Sequence, residues 1–399
     1  MKSEDTHQHP KRSKPANHSH NPSTSMQDSI LEIPILPPEL ITEILSRLPV
    51  KSLLRFRCVS KSWHSLISSN ELINTHLSLS SNNKEYTHHR LIVSFVQPEY
   101  NLKDWSLGSL LNGGVTEAFD LDYPMKNPHK SVWIVGSVNG LICLAIEEND
   151  LFLWNPSIRK FKKLPDSRPT LRSGYYFMYG FGYDEVRDDY KVVGIFCIFG
   201  SGGSYEVEVK IYGLKNDSWR NVDDFQGGLL LNDSGKFVNG KLHWATTSRL
   251  GEYNCWDIIS VDLTDEKWGK VEQPCYEEGN FDFVMGVLEN DLSVLCNYQK
   301  TRADVWIMKE YGVKESWTKM YTIRCPNDPG KYMFSPPLCV SNKGEILLVF
   351  GSIFMIYNPD DDSIRYPEVT NFDACLEAEI YIETLVSPLL RNEPSIQQQ

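Results

Sequence analysis

The sequence predicts an α+β chain divided by segment. A three-helix cluster precedes a mostly-β, propeller-like body, with six blades favoured. Three observations carry this. Apolar residues in 36–67 repeat at helical spacing. Beyond about residue 85, strand-like runs alternate with Gly, Asn, Asp and Pro turns. Within that region Trp219, Trp268 and Trp317 fall 49 residues apart, each after a strand and a polar turn. A strand-built period near 50 is the length of a propeller blade.

The chain has 399 residues, 41% of them hydrophobic, enough for more than one domain. Residues 1–30 are rich in His, Ser, Asn, Lys and Pro and read as a disordered tail. His7, His9, His18 and His20 form two His-x-His pairs there, and Lys11-Arg12-Ser13-Lys14 is a weak nuclear-import signal. Both read as parts of a solvated low-complexity tail.

The helical segment spans 31–80. Pro37 and Pro38 suit helix entry, where a missing N–H costs little. Leu40, Ile41, Ile44, Leu45 and Leu48 then line one stripe that Pro49 ends. Val50–Arg57 makes a second short helix with Leu53, Leu54 and Phe56 apolar, and Ser60 caps a third with Trp63, Leu66 and Ile67 on one face. Asn70 caps a short fourth helix through His76. So small a cluster cannot enclose all of these side chains, so it docks on the body or offers an apolar face to a partner.

In the body, 85–390, the three tryptophan units follow the strands Val209–Tyr212, Ile258–Leu263 and Val305–Met308. Looser copies run from Leu151–Pro156 to Phe161 and from Phe354–Pro359 to Arg365. A second landmark precedes each unit, at Asn139-Gly140, Asn239-Gly240, Asn290-Asp291 and Lys343-Gly344, where positive φ closes a hairpin. Five units span about 130–370. Pairing the strands of 91–105 with 378–386 would close a sixth and remove open edges. Residues 391–399 read as a second disordered tail.

Lys plus Arg total 40 against 52 Asp plus Glu, a net charge of −12. Residues 1–76 hold nine basic and seven acidic residues, so the body is acidic. That excludes broad contact with nucleic-acid phosphates and favours protein partners, basic ones among them. No apolar run reaches membrane-helix length, and the N-terminus has no signal-peptide core. Nine cysteines without metal-like spacing read as buried free thiols. They imply a reducing compartment, so the cytoplasm, the nucleus or both are expected. The sequons at Asn216 and Asn232 are then incidental.

No catalytic constellation, metal site or cofactor site stands out. Trp219, Trp268 and Trp317 read as blade packing, Asp184, Asp188 and Asp189 as solvated turn acids, and His243 as a core or interface histidine. Gly200-Ser201-Gly202-Gly203 lacks the Lys-Ser/Thr of a phosphate loop and reads as a flexible blade loop.

The helical segment resembles an F-box. The likeness lies in Leu36-Pro37, Glu39-Leu40, Ile44-Leu45, Leu48-Pro49-Val50-Lys51-Ser52-Leu53, Arg57-Cys58-Val59-Ser60-Lys61-Ser62-Trp63 and Leu66-Ile67. The body is similar to the plant F-box-associated interaction domain of F-box/kelch-repeat type. There the match lies in Gly136–Cys143, Trp154-Asn155-Pro156-Ser157, Gly180–Asp184, Asp189–Val193, Asn239–Trp244 and Asp304–Tyr311. Val138 stands where the family usually has Cys, and the doublets at 113–114, 202–203 and 227–228 do not recur at one strand end as in true kelch blades.

The resemblance implies a substrate-recognition subunit of an SCF-type ubiquitin ligase. It would join a Skp-type adaptor, and through it a cullin and a RING protein, to an unidentified protein target. By this resemblance the adaptor-binding residues are Leu36, Pro37, Leu40, Ile44, Leu45, Leu48, Pro49, Leu53, Leu54, Val59, Trp63, Leu66 and Ile67. Two alternatives are a scaffold or decoy with no ubiquitination output and a propeller enzyme with an incidental helical prefix.

Overall fold

In the computed structural model the described residues are 36–389, apart from 97–98, 148–149, 168–174, 200–204, 226, 232–233, 248–255, 299–300, 325–333 and 373–376. The His-x-His pairs, the 11–14 basic run, Gly200–Gly203 and residues 391–399 lie outside them. The chain divides into two compact units, Met1–Ile41 and Thr42–Gln399, with the division inside the first helix.

Five helices are described: α1 Pro38–Leu45, α2 Val50–Phe56, α3 Lys61–Ile67, α4 Asn70–Ser81 and α5 Leu107–Leu111. The first begins as expected after Pro37, whose carbonyl accepts from Leu40 N at 3.0 Å. Pro49 sits before α2 rather than ending α1, which stops at Leu45. Ser60 caps α3, its Oγ accepting from Trp63 N. The fourth helix departs from expectation. Ser69, not Asn70, is its cap, and it runs on to Ser81 because its later turns are covered: His76 and Ser80 are buried.

From His89 onward the described chain forms six antiparallel blades. Blade 1 joins the strand Glu377–Ile382 to His89–Phe95, Asn101–Ser106 and Phe119–Asp120. Blade 2 runs Val132–Val138, Leu141–Ile146, Asp150–Asn155, Lys160–Lys163. Blade 3 runs Tyr175–Asp184, Asp189–Phe199, Tyr205–Gly213, Ser218–Val222. Blade 4 runs Ser234–Val238, Lys241–Thr247, Trp256–Asp262, Trp268–Val271. Blade 5 runs Asp282–Leu288, Asp291–Tyr298, Arg302–Met308, Trp317–Arg324, and blade 6 Cys339–Val340, Ile346–Phe350, Ile353–Asn358, Ser363–Arg365. Four blades are separate four-stranded sheets. Blades 3 and 4 share one larger sheet, because Ser234 and Gly235 pair in parallel with Tyr179 and Gly180.

The core is a set of layers between blades, which explains why the strands are apolar on both faces. Neighbouring residues of one strand point to opposite blades. In blade 3, Val192 packs toward Leu141 and Leu153 of blade 2, while Val193 packs toward Leu242 and Trp244 of blade 4. Trp256 and Ile258 meet Met285 and Val294 of blade 5, whose Leu295 and Val305 meet Ile346 and Leu348 of blade 6. Leu347 and Phe354 then meet Leu91 and Trp105 of blade 1, and Ile92 returns to Ile134 and Ile142 of blade 2. The layers therefore form a closed ring. Close approach requires glycine at Gly180 and Gly235, where an added Cβ would lie 2.7 Å and 2.5 Å from the Trp244 ring.

The period-49 tryptophans open or nearly open the outermost strands of blades 3, 4 and 5. Trp219 Nε1 donates to Pro165 O and Trp317 Nε1 to Glu272 O, both at 2.8 Å, tying each blade to the preceding connection. Trp268 packs edge-on against Phe225 instead. The Asn-Gly turns have the expected positive φ: 53° and 78° at Asn139 and Gly140, 51° and 73° at Asn239 and Gly240.

Ring closure uses both ends of the body. Strand Glu377–Ile382 pairs antiparallel with His89–Phe95. The next residues are held by Asn155, whose amide donates to Thr384 O at 3.1 Å, Thr384 Oγ1 at 3.3 Å and Val386 O at 2.8 Å. Asn155 is wholly buried. Asn155→Ala should therefore cost about 2–3 kcal/mol, the worth of two or three buried hydrogen bonds. Urea unfolding reads this directly, and a change below about 0.5 kcal/mol would show that the clamp contributes nothing.

Candidate functional site

Two features stand out, exposed apolar residues in the helical segment and long connections on the ring. In the first unit Leu36 and Leu40 are each about half exposed, at 51% and 50%, and Pro37 is exposed. In the second unit Ile44 is 49% and Val59 63% exposed, and Pro49 is also open to solvent. Leu48, Leu54, Trp63 and Leu66 are half-buried. Leu45, Leu53 and Ile67 are enclosed with Val50 and Leu72. These three, grouped above with the partner-facing residues, hold the cluster together in this structure. The packing of Phe56 on Trp63, at 5.5 Å and 86°, further fixes α2 against α3. Leaving an Ile or Val side chain open forgoes about 1.5–3 kcal/mol of burial, which a covering partner would recover.

The helices join the ring at one end. The chain enters blade 1 through residues 82–88, and Tyr86 Oη donates to Val340 O of blade 6. Most turns at that end are two to five residues long. The opposite end carries the connections 121–131, 164–174, 223–233, 272–281, 325–338 and 366–376, each ten to fourteen residues. Its exposed described residues include Met125, Lys126, Glu147, Glu277, Glu278 and Tyr366. Long connections on a rigid frame are where recognition residues collect.

Two polar groups singled out by the sequence, His243 and the acids near residue 184, are engaged in structure inside the ring. His243 is wholly buried, with Nε2 2.8 Å from Tyr311 Oη and Nδ1 3.1 Å from Lys236 O. Burial pushes its imidazole down to about 4. Asp184 and Asp189 are buried rather than solvated; only Asp188 is exposed. The expectation fails because a cation is buried with them. Lys191 Nζ lies 2.9 Å from Asp184 and 3.2 Å from Glu266, and also reaches Leu263 O. Desolvation alone would raise the Asp184 carboxyl, but hydrogen bonds from Lys191, Thr264 and Arg187 outweigh it and hold the group at about 2. A polar cleft of about 240 Å³ lies over this network, lined by Arg187, Arg220, Asn216, Ser218 and Thr264 among others.

Cys143, Cys197, Cys296 and Cys339 are buried free thiols as expected, whereas Cys58 and Cys275 are exposed. Cys255, Cys325 and Cys375 lie outside the described residues. Among the described residues, no three His, Cys, Asp or Glu side chains stand together as metal ligands, and no helix is long and apolar enough to cross a membrane.

Residues 33–75 match the F-box domain model and residues 115–379 the F-box associated beta propeller domain model. The chain is 35% identical over 360 residues to F-box/kelch-repeat protein At3g23880 of Arabidopsis thaliana, covering 88% of this chain and 96% of that one. It is 31% identical over 376 residues to F-box protein CPR1 of the same plant, covering 88% of each. Among solved structures, the fucose-specific lectin from Aleuria aurantia aligns with a TM-score of 0.41 and 10% identity over 71% of this chain and 92% of its own, too loose a likeness to argue from.

The buried network yields a stability prediction. Lys191→Ala leaves Asp184 and Glu266 short of their shared cation and should cost about 3 kcal/mol. Because Asp184 is held below its usual 3.8, its contribution is full above that value and is lost as pH falls toward 2. Urea midpoints of both proteins across pH 7 to 2.5 test this. Equal stability of the two at pH 7 would refute it.

Proposed function

The chain belongs to the F-box proteins that carry an F-box associated β-propeller domain, and from that premise we propose that it bridges a Skp-type adaptor to a protein target through opposite ends of one rigid ring. An F-box substrate-recognition role in an SCF complex follows from the family. Cullin and RING protein would be reached through the adaptor. Such adaptors are generally not enzymes. They accelerate transfer by holding a target lysine at high effective concentration near the donor.

The observation that carries the reading is the exposure of apolar residues in and beside the helices: Leu36, Pro37 and Leu40 in the first unit, and Ile44, Pro49 and Val59 in the second. These are the residues we assign to first contact with the adaptor. The half-buried Leu48, Leu54, Trp63 and Leu66 are assigned to the same role, and Leu45, Leu53 and Ile67 act by holding the helices of the second unit together. The target surface is assigned to the ring end that carries the long connections, because the other end is occupied by the helices and by tight turns. The free thiols suit a reducing compartment, the cytoplasm or the nucleus.

Leu40→Ala with Ile44→Ala should weaken binding to a purified Skp-type adaptor by about 30- to 1,000-fold, the effect of losing buried anchors worth about 2–4 kcal/mol. Thermal unfolding of the propeller should stay unchanged. Undiminished adaptor binding by that double variant would overturn the assignment. A companion variant, Met125→Ala with Glu277→Lys and Tyr366→Ala, should keep the adaptor and lose proximity-labelled targets. Lys343→Ala with Asp360→Ala, at the tight-turn end, should lose neither.

A further inference from the structure

Where helices α2–α4 meet the ring, three histidines are buried together. His76 of α4 is wholly inaccessible, and His88 and His89, at the start of blade 1, are 9% and 8% exposed. The rings of His76 and His88 meet edge to face at 5.5 Å, and His89 packs on Tyr86 at 5.1 Å. His76 Nε2 lies 3.0 Å from Leu48 O. A carbonyl only accepts, so Nε2 carries the proton and Nδ1 of the neutral ring is bare. Nδ1 of His76, His88 and His89 is buried in each case with no hydrogen-bond partner among the described residues.

Protonating any of the three would put a charge, and an N–H without an acceptor among the described residues, into a buried joint. The charged surroundings do not relieve this. Arg57, at the end of α2, is half-buried, with its guanidinium donating to Ile67 O and its Nε unpartnered among the described residues. Across the joint, the Asp104 carboxylate is taken by Arg90 and by Tyr381 Oη at 2.6 Å. Glu383, whose N–H donates to His88 O at 2.8 Å, has its carboxyl raised by burial, against the opposing charges of Arg90 and of Lys51 in α2. From the linker Tyr86 adds a neutral phenol, and from blade 6 Cys339 adds a buried neutral thiol. Burial lowers all three imidazoles, His89 to about 4 with a further push from His88.

We infer that this histidine joint is an acid-sensitive latch: below about pH 6 the helices α2–α4 loosen from blade 1 while the ring stays closed. The sign follows from the neutral ring being preferred in the docked state. Docking is at full strength above the ordinary imidazole value of 6.5 and weakens as pH falls below it. At pH 5.5, one unit below, the docked-to-open ratio falls about tenfold for each histidine that titrates only when open.

Hydrogen exchange on the full chain, corrected for the intrinsic pH dependence of amide exchange, tests the latch. Between pH 7.5 and 5.5 the opening of α4 and residues 82–88 should rise about 10- to 1,000-fold. Amides of the blade 5 strands Asp291–Tyr298 and Arg302–Met308 should not change. In a His88→Gln, His89→Gln variant the rise in α4 should shrink at least tenfold. A flat profile in wild-type α4, a matching rise in blade 5, or an undiminished rise in the folded variant would each overturn the inference. If the variant does not fold, the comparison of α4 with blade 5 in the wild type still decides it.

Discussion

The structure depends on one antiparallel pairing. Strand Glu377–Ile382 must return to His89–Phe95 across nearly the whole body, and only then does blade 1 exist. Without it Leu91, Trp105 and Ile92 lose the layers they share with blades 6 and 2, and the ring has two raw edges. Closing so long a loop is entropically costly, so the joint is reinforced beyond its ladder. Asn155 gathers the backbone of 384–386, and Glu377 Oε2 accepts from Ile134 N in blade 2. Blade 1 also receives α4, so the seat of that helix rests on the same closure.

Closure makes the two ends of the ring unequal. At one end Asn-Gly and Glu-Asn turns take two residues and leave little side chain with which to recognise anything. That end carries the helices. At the other end, six connections of ten residues or more stand on a frame that each interblade layer stiffens. The proposed division of labour, one end for the ligase arm and one for the target, rests on which ends of the strands the chain joins briefly and which it joins at length.

Much of this was legible in the residues. The tryptophan spacing and the positive-φ hairpins marked blades 2 to 6, since both are local signals repeated at a fixed period. The exposed apolar residues of the helices were legible as a set, but not their division into those that face outward and those, like Leu45, Leu53 and Ile67, that pack inward. Helical spacing says which residues share a stripe; it does not say which stripe a neighbouring helix covers. Asp184 and Asp189 were misread for a similar reason. Acids in a turn look solvated until Lys191 and the chain near Thr264, distant in sequence, are seen beside them. The histidine joint was not legible in the sequence, because His76 lies on α4 and His88 and His89 at the entry to blade 1, and no local pattern brings the two together.

The sequence by itself determined the segmental character, helices then repeated strands, and the family to which the chain belongs, because helical stripes, turn chemistry and a fixed repeat are written in neighbouring residues. Only the tertiary structure decided how the ring closes, which apolar side chains remain open to a partner, and where the helices sit on blade 1. Those are contacts between residues hundreds of positions apart, as with Asn155 and Val386 or Asp104 and Tyr381, and no local pattern encodes the partner of a side chain that distant.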